Sequence, residues 1–286
     1  TSSGRVGGVA MEMKVYELTF RFLSQAIITK RRTERGFTSF TDYVPSTVLR
    51  GAILTSLYWH GKISKDVLER DSSDPFLIAS PAYPSVNREK FYPSPPFIFE
   101  CKVCKLKENE YHPINHLPKI MPVLLKESGQ LFPTRCPKCH QPALKSVNRP
   151  VGLMDGKLKV FKPSTGLNIA VAISKRRGAS MKGMLYEYEA IAAGREFWAT
   201  VTAPEEFDLR RGMRIWLGRG KSRGFGEAEI VALREIDLEH KVKKTMTFLS
   251  SDRKVALYAF SPLTMCRDDK NWPYPDEINL DEIAGR

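Results

Sequence analysis

Two Cys-x-x-Cys pairs, Cys101-Lys-Val-Cys104 and Cys136-Pro-Lys-Cys139, are separated by 31 intervening residues. Four soft thiolates in two knuckles close a tetrahedron around one metal ion, so any fold of this chain must bring these two stretches together. Sulfur takes all four corners and leaves no position for water, which points to a structural zinc rather than a catalytic one. The gap exceeds the usual roughly 15–20 residues, and His112, His116 and His140 lie close enough in sequence to replace a cysteine. Two redox-active dithiol pairs are the alternative reading. Cys266 stands alone. Residues 99–146 are too few to own much of a core, so they read as an insertion that depends on its metal.

Charge narrows the partner. Forty-five Lys and Arg against 32 Asp and Glu leave +13, and 42% apolar residues supply a real core, which excludes a disordered chain. The excess is clustered. Residues 141–186 hold nine Lys or Arg against Asp155 alone, and residues 207–226 hold six against Asp208. Residues 267–286 run the other way, with six acidic and three basic side chains that suit a basic partner. Clusters of this kind are the electrostatic footprint of a polyanion; a basic surface kept for solubility is the plainer alternative. No apolar run approaches the ~18 residues of a membrane helix and no secretory segment is visible, so a cytoplasmic protein without a membrane partner is expected.

Local patterning predicts an antiparallel sheet with few helices. Tyr16, Leu18, Phe20 and Phe22 alternate with polar residues as a one-faced strand. Thr29 to Gly36 reads as a basic loop. Pro45-Ser46 opens a helix with Ser46 as its cap, a stripe of Val48, Leu49, Ala52, Ile53 and Leu57, and Gly61 at its end. Six prolines between 75 and 99 predict an extended crossing with little strand pairing. Strands are expected at 185–190 and 197–201, a basic helix or turn at 204–215, and a strand at 226–233 with Ala228, Ile230 and Ala232 on one face. Residues 1–10 read as tag, linker or disordered start. Residues 18–28 can be laid over 255–265, which suggests that a second copy of the fold begins near 253 and occupies 253–286.

The sharpest motif is Leu217-Gly-Arg-Gly-Lys-Ser-Arg-Gly-Phe-Gly226, with four glycines in its last nine positions. A Walker A loop and a dinucleotide fingerprint both lead into a helix, whereas a strand follows here. The amides of Gly218, Gly220, Ser222, Gly224 and Gly226, with Arg219, Lys221 and Arg223, are expected to form a cationic nest for phosphates. Phe225 offers a ring to stack on a base or to pack inward. The alternative is a tight turn packed through its glycines.

This motif before a final strand resembles the glycine-rich loop of the RAMP superfamily, RNA-binding proteins of CRISPR systems. Tyr43-Val-Pro-Ser-Thr-Val-Leu-Arg-Gly51 resembles the family's I-P-G-S-S-L-(R/K)-G helix opening, and Ser80-Pro-Ala-Tyr-Pro84 its S-x-A-Y-P segment. Ala172-Ile-Ser-Lys-Arg-Arg-Gly-Ala179, followed by Gly183-Met-Leu-Tyr-Glu-Tyr-Glu189, resembles its A-I-x-R-x-x-G-A and G-x-L-(Y/F)-x-x-E pattern. Together the four stretches span most of 15–235 in the family's order. The resemblance implies an α+β, ferredoxin-like (RRM-like) antiparallel sheet made of 11–98 and 147–240, four strands with two helices, interrupted by the zinc-binding insertion at 99–146. It further implies a subunit of a type III effector complex, closest to the type III-D tandem-RAMP subunit that caps the guide's 5′ handle. Implied partners are the guide crRNA, target RNA indirectly, other RAMP subunits and the large subunit, and the insertion would shape a docking surface for a neighbouring subunit. Beside the glycine-rich loop, Lys30, Arg31, Arg32 and Arg50 would flank the RNA groove, and Lys175, Arg176 and Arg177 would sit on a hairpin that clamps the strand.

Several departures shape the expected chemistry. Ser46 replaces the family's glycine after the proline, and Asn168 stands where relatives often place a histidine. Target-cleaving relatives carry an aspartate about fifteen residues before that proline, where this chain has Lys30-Arg31-Arg32; Asp42 reads as a turn or cap residue. No catalytic residue is therefore expected. The alternatives are a repeat-backbone subunit of the same complex, a metal-independent endoribonuclease using His60 as acid or base, or a zinc-ribbon DNA-binding protein. A histidine before a helix-ending glycine is expected to meet the helix's last carbonyls instead.

Overall fold

The computed structural model describes residues 5–6, 9–10, 12–33, 36–73, 75–95, 97–104, 114–115, 135–173, 176, 180–249, 265–267 and 270–272. Strands β1 (Arg5–Val6) and β2 (Val9–Ala10) pair with each other within the expected linker. Then follow β3 (Met13–Phe22), β4 (Thr29–Thr33), β5 (Gly36–Ser39), α1 (Ser46–Trp59) and α2 (Lys65–Ser73). The proline-rich region holds β6 (Ile78–Ala79), β7 (Tyr83–Val86) and β8 (Glu89–Tyr92), and the cysteine region β9 (Ile98–Cys101), β10 (Ile114–Asn115) and β11 (Leu144–Ser146). Beyond lie β12 (Val151–Met154), β13 (Lys157–Val160), β14 (Thr165–Ile173), β15 (Ser180–Ile191), β16 (Glu196–Pro204), β17 (Arg214–Trp216) and β18 (Glu227–Glu235). The last elements are α3 (Leu238–Leu249) and the hairpin of β19 (Met265–Arg267) with β20 (Lys270–Trp272).

Alternation in β3 drives the main sheet. Leu18, Phe20 and Phe22 are fully buried while Arg21 faces solvent. Phe20 stacks on Phe197 at 5.9 Å between centroids, and Phe22 meets the edges of both. Burial of each ring contributes roughly 1.5–3 kcal/mol. Against these rings packs the α1 stripe of Leu49, Ile53 and Leu57. The sheet runs β13-β12-β8-β7-β16-β3-β18-β17, with β6 added beside β16. Each of its four central strands, β7, β16, β3 and β18, runs antiparallel to its neighbours in the sheet, and α1 lies between β3 and β7 in the chain. The fold is thus mixed α/β with one large antiparallel sheet. The crossover from β16 to β18 holds two 3-10 turns (Glu205–Phe207 and Lys221–Arg223) and β17, so the second covering helix of the expected four-strand plan is not found there.

Several local expectations change. Ser46 is the first helical residue and caps nothing: Pro45 occupies the cap position without a side-chain bond, its carbonyl accepting from Val48 and Leu49 N–H. The helix does end at Gly61, in the left-handed region at φ +66°, with Gly61 N–H donating to Tyr58 O and Lys62 N–H to Leu57 O. The prolines do not prevent pairing. Pro84 sits in β7 opposite Phe197 with no β8 partner on its other side, so its missing N–H removes nothing from the ladder. Residues 29–33 are strand β4 rather than loop, because β5 supplies a partner. In β18 a bulge at Val231 shifts the register, so Leu233 rather than Ala232 turns toward the core.

A second sheet, β14-β15-β5-β4, is a long hairpin pairing in parallel with β5 through β15. A third, β10-β9-β11, belongs to the cysteine region and joins the rest through Ile98, Val147, Val151 and Val160. Of the expected second copy at 253–286, only β19 and β20 fall within the described residues. No described helix is long and apolar enough to cross a membrane.

Arg50, expected at the RNA groove, is instead built into the fold. Its Nε donates to Leu77 O at 2.8 Å and its Nη2 to the backbone and carboxylate of Asp71, a side chain 2% exposed. The other Asp71 oxygen accepts from Phe76 and Leu77 N–H. Arg50→Ala leaves a buried carboxylate without its cation and is expected to cost about 3 kcal/mol in urea unfolding, with Arg50→Lys recovering only part.

Candidate nucleic-acid interface and metal centre

The glycine-rich loop is stitched at its neck to the chain that follows β3. Leu217 N–H donates to Gly226 O at 2.8 Å, Gly226 N–H to Gln25 O at 2.8 Å, and Arg219 N–H to Ile27 O at 2.9 Å. Two glycines permit that closeness: a Cβ at Gly226 would collide with the Leu217 carbonyl, and one at Gly218 with the Ile27 carbonyl. Between them a 3-10 turn, Lys221–Arg223, is bounded by Gly220 and Gly224 in the left-handed region. Arg223 and Phe225 N–H donate to Gly220 O, and Gly224 N–H to Lys221 O. Most loop amides are therefore engaged internally, and the expected nest of Gly218–Gly226 amides reduces to the start of the turn. What the loop presents outward is side chains: Arg219, Lys221, Ser222 and Arg223 are all exposed.

Those cations stand beside rings. The Arg223 guanidinium lies 5.4 Å from the Tyr188 ring centroid and 5.9 Å from that of Phe225, which is half-buried beneath it. Tyr188 comes from β15, where it pairs with Asn168 of β14 and Phe37 of β5. Asn168 donates through Nδ2 to Gln25 Oε1 at 2.8 Å. Gln25 thus joins the second sheet by its side chain and the glycine-rich loop by its carbonyl. Neither Gln25 nor Tyr188 is singled out by the sequence as a site residue. The Tyr186-Glu-Tyr188 alternation was the available signal for one aromatic face, but the facing loop is 35 residues further along the chain.

The other expected contacts divide. Lys30 and Arg31 are exposed on β4, and Lys30 Nζ lies 5.7 Å over the Phe40 ring. Arg32 lies on the same strand. Arg176 is exposed between β14 and β15, while Lys175 and Arg177 lie outside the described residues. His60 Nδ1 lies 2.7 Å from Ser56 O, the helix-end contact expected of a histidine in that position. Asp42, expected as a turn or cap residue, has its Oδ1 buried with no hydrogen-bond partner among the described residues. Burial pushes its carboxyl pKa up, against the opposing pull of Arg149 and Lys30, with Glu189 adding to the rise.

The four cysteines converge. Cys101 ends β9, Cys104 follows in the next turn, and Cys136 and Cys139 form the opposite knuckle; all four sulfurs lie within 4.8 Å of one another. Cys101 Sγ and Cys139 Sγ are 3.5 Å apart, and Cys104 Sγ and Cys136 Sγ 3.8 Å. A tetrahedron with 2.3 Å metal–sulfur bonds has edges of about 3.8 Å, so the set fits a tetrahedral metal. Lys138 N–H donates to Cys136 Sγ at 3.4 Å, and His140 N–H to Cys136 O, which fixes the knuckle. Burial and the neighbouring sulfurs push the Cys104 thiol up to about 12, a crowding of potential thiolates that a dication relieves. Among the described residues His140 is not in the cluster; His112 and His116 lie outside them.

No family model and no curated protein matches the chain. Its outline is similar to solved structures from type III-B Cmr-beta. One, in the apo state, has 14% identity over 78% of this chain and 98% of that chain, with a TM-score of 0.41. Another, bound to cognate target RNA, has 12% identity over 77% and 96%, with a TM-score of 0.43. Cmr4 (Cas7) of Pyrococcus furiosus has 10% identity over 78% and 100%, with a TM-score of 0.32. Likenesses this loose describe an outline and say nothing of activity.

Two outcomes are expected. Elemental analysis finds one bound metal per chain, lost in Cys136→Ser, and chelation exposes residues 98–146 to protease while the nine-stranded sheet stays folded. Asp42 ionises less readily folded than unfolded, so it lowers stability as pH rises from the ordinary carboxylate value near 3.9 through its raised folded value. Asp42→Asn removes that part of the pH dependence in unfolding titrations.

Proposed function

We propose that this chain is a non-catalytic RNA-binding subunit of a type III CRISPR RNA-guided complex, holding the guide crRNA near its 5′ handle. The observation that carries the reading is the glycine-rich loop: a backbone locked by its own hydrogen bonds that offers Arg219, Lys221 and Arg223 to solvent, with Arg223 against the rings of Tyr188 and Phe225. Exposed cations hold phosphates whatever the sequence, and rings beside them accept stacked bases. The four stretches that resemble the RAMP superfamily occur in the family's order, and Tyr188, from the 183–189 stretch, meets Arg223 of the glycine-rich loop, which supports an RNA-facing surface there.

Each expected flank has a role in that reading. Lys30 and Arg31 extend the positive surface along β4, and Arg176 at the tip of the β14–β15 hairpin clamps the strand. Arg50 is omitted, because its guanidinium holds Asp71. The four-cysteine site takes zinc, which suits an all-sulfur tetrahedron, and the insertion it staples offers a docking face to a neighbouring subunit. Catalysis by His60 is not part of the proposal, since its Nδ1 is occupied by the helix carbonyl of Ser56.

Isolation from the native host, with sequencing of bound RNA and mass spectrometry of attached chains, is expected to recover short RNAs sharing one constant 5′ end together with related basic subunits. Recovery without RNA or partners refutes the proposal. An Arg219/Lys221/Arg223 triple alanine variant is expected to weaken binding to all single-stranded RNAs alike. Its dependence of log affinity on log salt should flatten by about two, near 0.7 for each lost phosphate contact. An unchanged slope removes the loop from the interface.

A further inference from the structure

A cleft of about 520 Å³ opens at one end of the nine-stranded sheet, lined by residues outside the glycine-rich loop. Its lining includes Arg21 from β3, Ser85 and Arg88 from the β7–β8 hairpin, and Gly194, Arg195 and Glu196 at the entry to β16. Strand register brings them together: Ser85 lies opposite Glu196, and Glu196 opposite Arg21. Arg21 donates to Glu196 Oε1 from Nε at 2.8 Å and from Nη2 at 2.5 Å, so those two charges cancel. Arg88 and Arg195 have no acidic partner among the described residues, which leaves two guanidinium charges uncompensated in a concave site.

The backbone holds both in place. Arg88 and Asn87 form a two-residue hairpin turn with φ of +69° and +52°. Arg195 follows Gly194, whose N–H donates to Phe22 O at 2.7 Å, while Phe22 N–H donates to Arg195 O at 2.9 Å. A guanidinium is a planar fork that matches phosphate oxygens. The volume suits a nucleotide-sized group, within the roughly 300–1,000 Å³ range of ligand sites. Position supplies the rest. The glycine-rich loop runs into the start of β18, and β18, β3, β16 and β7 are neighbours in that order. The loop and the cleft therefore lie at the same end of the sheet. Three strand spacings separate them, about 14 Å, which a single strand crosses in a few nucleotides.

We propose that this cleft holds a backbone phosphate of the same single RNA strand that the glycine-rich loop grips, as a second phosphate site through Arg88 and Arg195. The proposal rests on the RNA-binding reading above. Its test uses the full chain and a labelled single-stranded RNA of about 12 nucleotides, titrated across salt concentrations. Arg88→Gln/Arg195→Gln is expected to bind roughly fivefold to tenfold more weakly, with the salt slope shallower by about 1.4, near 0.7 for each of two phosphates. Arg88→Lys/Arg195→Lys keeps the charge and is expected to keep the slope. If the glutamine variant binds like the parent while the Arg219/Lys221/Arg223 variant is weakened, the cleft is refuted and the RNA-binding reading stands. If neither variant is weakened, both fall. Adenosine monophosphate serves as the free-nucleotide probe: loss of its binding in the glutamine variant with strand binding intact assigns the cleft to a free nucleotide and overturns the proposal. Photocrosslinking of 4-thiouridine RNA to the parent protein needs no substitution. Adducts on peptides containing Arg88 or Arg195 support the site, and their absence overturns it.

Discussion

The backbone from Leu23 to Ile28 joins the two larger sheets by hydrogen bonds on both of its edges. On one side Leu23 and Ser24 N–H donate to Glu227 O, Gly226 N–H donates to Gln25 O, and Arg219 N–H donates to Ile27 O. On the other, Ala26 and Ile191 exchange bonds at 3.0 and 2.8 Å, and Phe40 N–H donates to Ile28 O. Ala26, Ile27 and Ile28 are almost wholly buried, so any of these groups left unpaired would cost about 1–3 kcal/mol. The glycine-rich loop cannot move away from the hairpin sheet without stranding several of them. That rigid joint is what makes one surface from residues scattered between positions 25 and 226.

The division of labour within the loop follows from this joint. Glycine is required where Gly218 and Gly226 pass against carbonyl oxygens, and the turn between them closes on its own amides. In the proposed role, recognition would fall to long cationic side chains rooted in this fixed backbone. Such a backbone lowers the ordering cost of gripping a polyanion, because only side-chain freedom is lost on binding. Arg223, flanked by two rings, loses least.

The cysteine region obeys a different constraint. Among its described residues the local core is Cys101, Cys104 and Cys136 with Val103, Cys139, Ala143 and Leu144 around them, a small apolar cluster centred on the four sulfurs. Four sulfurs at tetrahedral spacing offer a site where a bound metal would add to that burial. The insertion meets the main sheet through the small cluster of Ile98, Val147, Val151 and Val160, so its fold and that of the nine-stranded sheet are largely separate problems.

Much of this was legible in the sequence because it is local. The β3 alternation, the α1 stripe with its Gly61 stop, and the two metal knuckles are written in periods of two and 3.6 and in a four-residue motif, and the structure keeps all of them. His60 likewise turns to its own helix end. Other features depend on what lies across the fold. Residues 29–33 look like loop until β5 pairs with them, and the prolines near 84 look like breakers until one strand edge proves vacant. Asp42 looks like a cap until burial surrounds it. The Val231 bulge swaps Ala232 for Leu233, which no alternation rule foresees. Arg50 reads as one more surface cation until Asp71, 21 residues away, arrives beneath it. By itself the sequence determined the β3 strand, the α1 helix and the two cysteine knuckles, since those follow from short-range sterics and ligand chemistry. Only the tertiary structure decided which cations face solvent and which hold the fold together, because a charge has no role until its nearest opposite charge, and the water between them, have a place.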